Sequence, residues 1–383
     1  MVLRAWPTSE RVFDKPILSS DNLAVFQLCN RVKLMLGFLI FVSEFVGLNF
    51  AVNYYIYRRL CFFFKVKRRW FHYILLFVLS SSYVAASVIE LIFSNMPSNI
   101  LQGVTALWMG IGLLLFSYLL VYELLKMIFR PPRRATGVAI LALTAVTSVY
   151  AMINARVIRV STVEIKAPVD IKIVQLSDIH LGSTETNLLR RAVKRTNELE
   201  ADVVVITGDL FDPRGVLEPE AISSLNELRT PVFFVMGNHE RYMGADRVTE
   251  LLAKTKVRVL RNETVVFKEI EIIGVDDTAS EEALAEKLSK LEINKSGYSV
   301  LMHHRPIGIE AVSNAGIDLM VCGHTHNGQI IPFNYIVGLF FGHMKGLYRY
   351  GDFHLYVSTG TGTWGPRMRL GSKSEIVLFK LGG

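Results

Sequence analysis

The sequence predicts an α/β domain preceded by a bundle of four transmembrane helices, and three observations carry that expectation. The first 155 residues contain four long apolar stretches separated by short basic or polar loops. From residue 170 the texture changes to short Val-, Ile- and Phe-rich runs alternating with amphipathic stretches, the pattern of repeated strand–helix units. The charge divides near the same place: residues 1–155 carry fifteen Lys/Arg against six Asp/Glu, and the remainder twenty-seven against twenty-eight. The division this implies is an N-terminal tail (1–33), a four-span domain (34–155), a linker (156–169) and a globular domain (170–383).

The apolar stretches are Leu34–Tyr57, Trp70–Phe93, Val104–Leu125 and Gly137–Ile153. About 20 helical residues cross a hydrocarbon core of ~30 Å, so the first three are long enough; the fourth is short but uncharged. A cleaved signal peptide fits poorly, since the first run starts late and three more follow it. The loop after the first span, RRLCFFFKVKRRW, has six basic residues, the loop after the third, KMIFRPPRR, has four, and the loop after the second has none. Lys/Arg bias near helix ends places the two basic loops in the cytoplasm. An even number of spans then favours an extracytoplasmic globular half; Arg31, Lys33, Arg156 and Arg159 weigh against it.

In the second half, IKIVQL, ADVVVIT, TPVFFVM, YSVLMH and IDLMVCG read as strands buried on both faces. Thr186–Glu200, Glu218–Leu228, Arg247–Thr255 and Ser280–Leu291 have helical composition. The segments RVLRNETVVFKEIEIIGV and HLYVSTG suggest added antiparallel strands. Because the basic excess lies in the membrane half and the globular half is nearly neutral, nucleic acid is not expected as a partner. Cys29, Cys61 and Cys322 form neither a disulfide framework nor a CxxC pattern.

The chemistry is concentrated just beyond the strand ends. Asp178 and His180 come after the first run, Asp209 and Asp212 after the second, and Asn238, His239 and Glu240 after the third. His303 and His304 come after the fourth, and His324 and His326 after the fifth. Strand ends of an open α/β sheet face one crevice, so these groups are expected to converge there. Carboxylate, amide and imidazole groups suit borderline and hard divalent ions, and the set is rich enough for two.

The blocks SDIHLG, TGDLFD, GNHE, HHRP and CGHTHNGQ, in this order over about residues 170–380, resemble the calcineurin-like metallophosphoesterase family. The resemblance implies a four-layer αββα sandwich with two divalent ions, Mn, Fe or Zn. It places Asp178, His180, Asp209 and His326 at one ion and Asp209, Asn238, His304 and His324 at the other, with Asp209 bridging. The family histidine stands two residues before proline, which selects His304 through Pro306, with His303 behind it. The ending KGLYRYGDFHLYVSTGTGTWGPRMRLGSKSEIVLF is similar to a membrane- or envelope-associated branch that includes transmembrane phosphoesterases and UDP-diacylglucosamine hydrolases. In that ending Thr359 stands where arginine is commoner.

Two ions about 3.5–4 Å apart would activate a shared water and neutralise phosphoryl oxygens for in-line displacement. His239, next to Asn238, is expected to protonate the leaving oxygen or to stabilise developing charge, with Glu240 orienting its ring. Asn238, Arg241 and Arg305 are candidate phosphate contacts. The apolar, aromatic segment Ile330–Tyr348 reads either as core or as a wall that dips into the membrane. The expected function is therefore a membrane-anchored phosphohydrolase with a lipid-linked phosphoester or pyrophosphate substrate and the bilayer as partner. The alternatives are a non-catalytic metal-binding scaffold or sensor, and a phosphodiesterase acting on soluble substrates.

Overall fold

The computed structural model describes residues 20–93, 95–129, 131–183, 187–213 and 219–383. Four helices open the described chain: α1 (Ser20–Phe64), α2 (Trp70–Phe93), α3 (Met96–Leu125) and α4 (Arg133–Arg156). Each contains a segment long and apolar enough to cross a membrane, Leu39–Phe64 within α1 and the whole of the other three. Their outward faces are apolar, with Phe41, Phe77, Leu91, Val104 and Val146 exposed. Water would penalise such a surface; hydrocarbon would not. Inside the bundle, Ile56, Phe63, Leu115, Leu119 and Ile140 pack together, and Asn53 donates to Ser80 Oγ at 3.3 Å. Residues 1–19 of the expected tail lie outside the described residues; from Ser20 the chain is already helical, so no break occurs at residue 33. α3 also begins earlier than expected. Asn95 caps it, accepting from Ser98 N at 3.0 Å while Ser98 Oγ accepts from Asn95 N.

The globular half is built on two six-stranded sheets. The strands are β1 (Ile158–Ile165), β2 (Ile171–Leu176), β3 (Val203–Ile206), β4 (Val232–Phe234), β5 (Val257–Val259), β6 (Glu263–Phe267), β7 (Ile270–Gly274), β8 (Tyr298–Met302), β9 (Leu319–Cys322), β10 (Gly346–Tyr350), β11 (Phe353–Val357) and β12 (Ser374–Leu381). One sheet runs β1-β12-β2-β3-β4-β5, the other β10-β11-β9-β8-β7-β6. The helices are α5 (Leu188–Asn197), α6 (Pro219–Ser223), α7 (Asn238–Met243), α8 (Ala245–Leu252), α9 (Glu281–Ser289), α10 (Ile309–Asn314) and α11 (Phe333–Gly338). Ile173, Val205, Phe233, Ile272, Val300 and Val321 meet between the sheets. The other face of the first sheet packs Val204, Ile206 and Phe234 on Leu189 of α5 and Val248 of α8. The other face of the second packs Ile273, Leu301 and Met320 on Leu284 of α9 and Val312 of α10. The result is four layers, αββα.

The expected linker 156–169 is corrected: most of it is β1, which pairs in parallel with β12 from Ile158↔Ser374 to Ile165↔Leu381. The last membrane helix therefore feeds directly into the sheet. Asn154 of α4 donates to Arg369 O at 2.9 Å and Ser372 O at 3.1 Å, and Ser374 Oγ donates to Ala155 O at 2.9 Å. On α3, Asn99 donates to Gly182 O at 2.6 Å. A side chain at Gly110 would meet Met368 Sδ at 2.7 Å, so this glycine permits the close approach of the 366–370 loop. The globular half is thus docked at the end of the bundle opposite the basic loops.

Candidate metal centre

The parallel strands β2, β3, β4, β8 and β9 all end at one crevice, and each delivers polar side chains there. The chain turns sharply at each exit. Asp178, His180, Asp209, His324 and His326 hold left-handed backbone, with φ of 53°, 55°, 51°, 71° and 48°. Non-glycine residues in that region cost roughly 1–3 kcal/mol each and persist only where surroundings over-determine them. Here they do: Asp178 accepts from His324 N through both oxygens (3.0 and 3.1 Å) and from Ser177 Oγ (2.6 Å). Asp209 Oδ1 accepts from His239 N at 2.9 Å. Gly237 and Gly323 have no room for a Cβ, which would fall 2.2 Å from Asp209 Oδ1 and 2.1 Å from Asp178 Oδ2 respectively.

Three groups of donor atoms lie within 4.8 Å of one another: Asp178, His180 and His326; Asp209, His304 and His324; and His180, Asp212 and His239. The first two contain six of the seven residues expected as ligands. Asp209 Oδ2 faces both, 3.2 Å from His304 Nε2 and 3.9 Å from His180 Nε2. It also lies 3.8 Å from His239 Nε2. Asn238, the seventh, sits at the start of α7, and its buried amide oxygen has no hydrogen-bond partner among the described residues.

The histidine pair at the end of β8 separates cleanly. His304 Nδ1 donates to Thr207 O at 2.8 Å, which turns Nε2 toward Asp209. Burial acts to lower this imidazole, but the Asp209 carboxylate overrides it and holds it up at about 10, a proton that a cation between the two would displace. His303 Nδ1 donates to Arg305 O at 2.7 Å, and His303 belongs to none of the donor groups. Burial pushes the His180 and His303 imidazoles down to about 4 and holds His324 and His326 well below the usual range. The neutral imidazole is the form that binds metal. Burial pushes Asp178 up to about 6. Burial also acts to raise Asp209, but neighbouring His304 overrides it and holds that carboxyl well below the usual carboxylate range.

These residues fit a pair of divalent cations. Beyond the orphaned Asn238 oxygen, His180 Nε2 lies 3.1 Å from His326 Nε2, and His304 Nε2 lies 3.1 Å from His324 Nδ1. Two neutral imidazole lone pairs at that distance repel unless a proton or cation lies between them. Metal–nitrogen bonds of ~2.0–2.1 Å at angles between about 90° and tetrahedral put ligand nitrogens roughly 2.9–3.4 Å apart. No thiolate competes, since Cys322 is buried in β9 with its pKa raised by burial.

Other expectations meet different surroundings. Glu240 does not orient His239: its carboxylate accepts from the backbone N–H of Asp209 (2.9 Å), Phe211 (3.0 Å) and Gly237 (2.8 Å), tying together the β3 and β4 exits. His239 instead lies against aromatic rings, 5.9 Å from Tyr242 and 6.4 Å from Trp364. Arg241 and Arg305 both pair with Asp277, at 3.2 and 2.9 Å, and Arg241 and Asp277 line a groove against Ala283 and Lys287 of α9. Asp212, expected in the crevice but given no ligand role, and Arg369, not singled out at all, both have defined places. Asp212 is buried within reach of His180 and His239, and the second carboxylate of GDLFD is the signal for it. Arg369 is fully buried, donating to Gly360 O (3.2 Å), Gly362 O (2.5 Å) and Ser372 Oγ (2.6 Å) beneath His326. Nothing local in the sequence marks it.

The calcineurin-like phosphoesterase family matches residues 171–328, which contain every donor described above. An uncharacterized metallophosphoesterase of Campylobacter jejuni is 34% identical over 377 residues, 90% of this chain and 99% of that one. A transmembrane protein with metallophosphoesterase domain from Bos taurus is 36% identical over 269 residues, covering 61% of this chain and 59% of its own. Phosphodiesterase YaeI of Escherichia coli is 27% identical over 230 residues, covering 55% and 82%. Sequence, layer order and donor set agree, and the chain belongs to the calcineurin-like metallophosphoesterase family.

Proposed function

We propose that this chain is a membrane-anchored phosphohydrolase that uses two divalent ions to cleave a phosphoester or pyrophosphate bond of a lipid-linked substrate. One observation carries the reading: two donor groups flank Asp209 Oδ2, and Asp212, within reach of His180, lines a small cleft between the globular half and the helix bundle. Two divalent ions held there supply Lewis acidity, acidifying water and neutralising phosphoryl oxygens. Asp178, His180 and His326 would hold one, Asn238, His304 and His324 the other, and Asp209 both.

The chain's own residues do the rest. Thr207 O fixes the His304 tautomer, and His324 N and Ser177 Oγ keep the Asp178 carboxylate turned inward. His239, anchored through its N–H on Asp209 and walled by Tyr242 and Trp364, has its ring at the mouth of the centre. From there it donates a proton to the leaving oxygen, an effect worth typically 10²–10⁴-fold. Asn99 and Gln102 of α3, with Ser183 and Trp364, line a small cleft on the bundle side of Asp212. A substrate anchored in the bilayer would enter beside it. The Lys/Arg bias of the loops at the far end of the bundle supports an extracytoplasmic site.

The test is metal analysis and turnover of the full chain purified with Mn²⁺, on an aryl phosphodiester and on phospholipid-like phosphoesters. Near two ions per chain are expected, with Asp209→Asn losing both metal and activity. His239→Ala should keep the metal and lose about 10²-fold or more in kcat. Turnover by Asp209→Asn equal to that of the unaltered chain would end the hydrolase reading.

A further inference from the structure

Directly after the His324/His326 loop, residues 330–344 contain no Lys, Arg, Asp or Glu. Within this stretch α11 buries none of its side chains. Phe333, Tyr335, Ile336, Leu339 and Phe340 are exposed, the last two by 84% and 78%. A globular domain in water does not ordinarily show that many neighbouring large apolar side chains.

The patch continues an apolar surface already assigned to the membrane. At its start, Ile330 packs with Met368 against Leu114 of α3 and Ala151 of α4. The depth of that contact comes from helix geometry. Gly110, which faces Met368, lies about 15 residues from the basic end of α3, and Ala151 about 18 from that of α4, or roughly 22 and 27 Å at 1.5 Å per residue. Leu114, which packs with Ile330, lies about 11 residues or roughly 17 Å from the basic end of α3, so with the basic ends at one face of a ~30 Å core Ile330 sits in the far half of the core, toward the opposite interface.

The other end of the patch touches the metal centre, where the Phe341 ring stands edge-on to His324 at 5.1 Å. Across the centre, half-exposed Trp364 and exposed Tyr242 flank His239. Aromatic rings at this level are the ordinary furniture of a membrane–water boundary.

We propose that residues 331–341 are seated in the headgroup region of the bilayer, so that the metal centre opens onto the lipid surface rather than onto bulk water. The occupant of this face is lipid, because the patch is continuous with the α3–α4 surface and carries no charge to recognise an acidic or basic partner. The functional consequence rests on the lipid-linked reading above; the placement itself does not.

The test uses the full chain in phosphatidylcholine vesicles, with Cys29, Cys61 and Cys322 replaced by Ser and an environment-sensitive fluorophore on Leu339→Cys. The reference is the same probe on Lys254→Cys, beyond α8 near the far edge of the first sheet. Expected is blue-shifted emission at 339, quenched by shallow nitroxide-labelled lipids at least about twofold more than at 254. Equal, water-like emission at both positions overturns the proposal. A blue shift without lipid quenching also overturns it, since a second copy of the chain would then be the cover. A parallel variant, Leu339→Glu, should slow hydrolysis of a vesicle-embedded phosphodiester about fivefold relative to a soluble aryl phosphodiester. Because the fluorescence needs no turnover, failure of the hydrolase reading and failure of this placement give different results.

Discussion

Asp209 is the residue on which the centre turns, since one of its oxygens is fixed by His239 N while the other faces both imidazole groups. Its neighbours divide into groups that meet the ions and groups that hold the backbone, and substitutions should separate them. His304→Ala should lose one metal per chain, whereas His303→Ala, whose ring is turned to Arg305 O, should keep both; metal content by mass spectrometry decides. Glu240 belongs to the second class. Exchanging one carboxylate oxygen for an amide NH₂ in Glu240→Gln turns a donor toward a backbone N–H, at a cost of about 2 kcal/mol. A lowered Tm is expected, and an unchanged Tm with reduced kcat would instead restore the role of orienting His239. The buried imidazoles also set a pH dependence. With His180 and His303 depressed to about 4 in the folded chain against an unfolded value near 6.5, the unfolded state binds more protons between those limits. Their contribution is therefore fully present above about pH 6.5 and is lost as pH falls toward 4. Asp178 and Glu240, pushed up by burial to about 6 and about 7, act in the opposite sense over the same window, but with His324 and His326 also depressed the imidazoles outnumber them. In chelator, where no ion competes with protons, Tm should fall across that window.

At the scale of elements, the strands that feed the centre were legible because burial on both faces makes β2, β3, β4, β8 and β9 continuous apolar runs ending in polar residues. β1 was not. Its residues alternate between exposed and half-buried, and a half-wet edge strand next to a membrane helix reads as linker. Arg369 escaped for a different reason: a guanidinium between Met368 and Leu370 reads as surface, and only acceptors brought in by the fold, Gly360 O, Gly362 O and Ser372 Oγ, make its burial tolerable. The same loop is held from outside by α4, through Asn154 to Arg369 O and Ser372 O and through Arg369 N to Ala151 O. Asn154→Ala removes two of these bonds, so about 1–2 kcal/mol of local stability should be lost. Hydrogen exchange of amides 369–374 should quicken, with little change in the strands between the sheets. Uniform protection in both chains would show that the membrane helix does not brace the site.

For the molecule as a whole, the globular half cannot swing free of the bundle, because β1 continues α4 and Asn99, Asn154 and Ser374 bond across the junction. Its side of the membrane is therefore set by the helices alone. The start of α3 and the crevice of the metal centre share one end of the bundle, while Lys65, Lys67, Arg68, Arg69, Arg133 and Arg134 gather at the other. Positive charge is retained in the cytoplasm because its transfer across the bilayer is opposed by both desolvation and the membrane potential. Arg31, Lys33, Arg156 and Arg159 oppose this orientation but are fewer. In intact cells expressing chains freed of native cysteines, a membrane-impermeant maleimide should label Lys254→Cys and leave Lys67→Cys unlabelled until the membrane is opened. The reverse pattern would put the crevice in the cytoplasm, and any lipid-linked substrate would then have to be drawn from the inner leaflet.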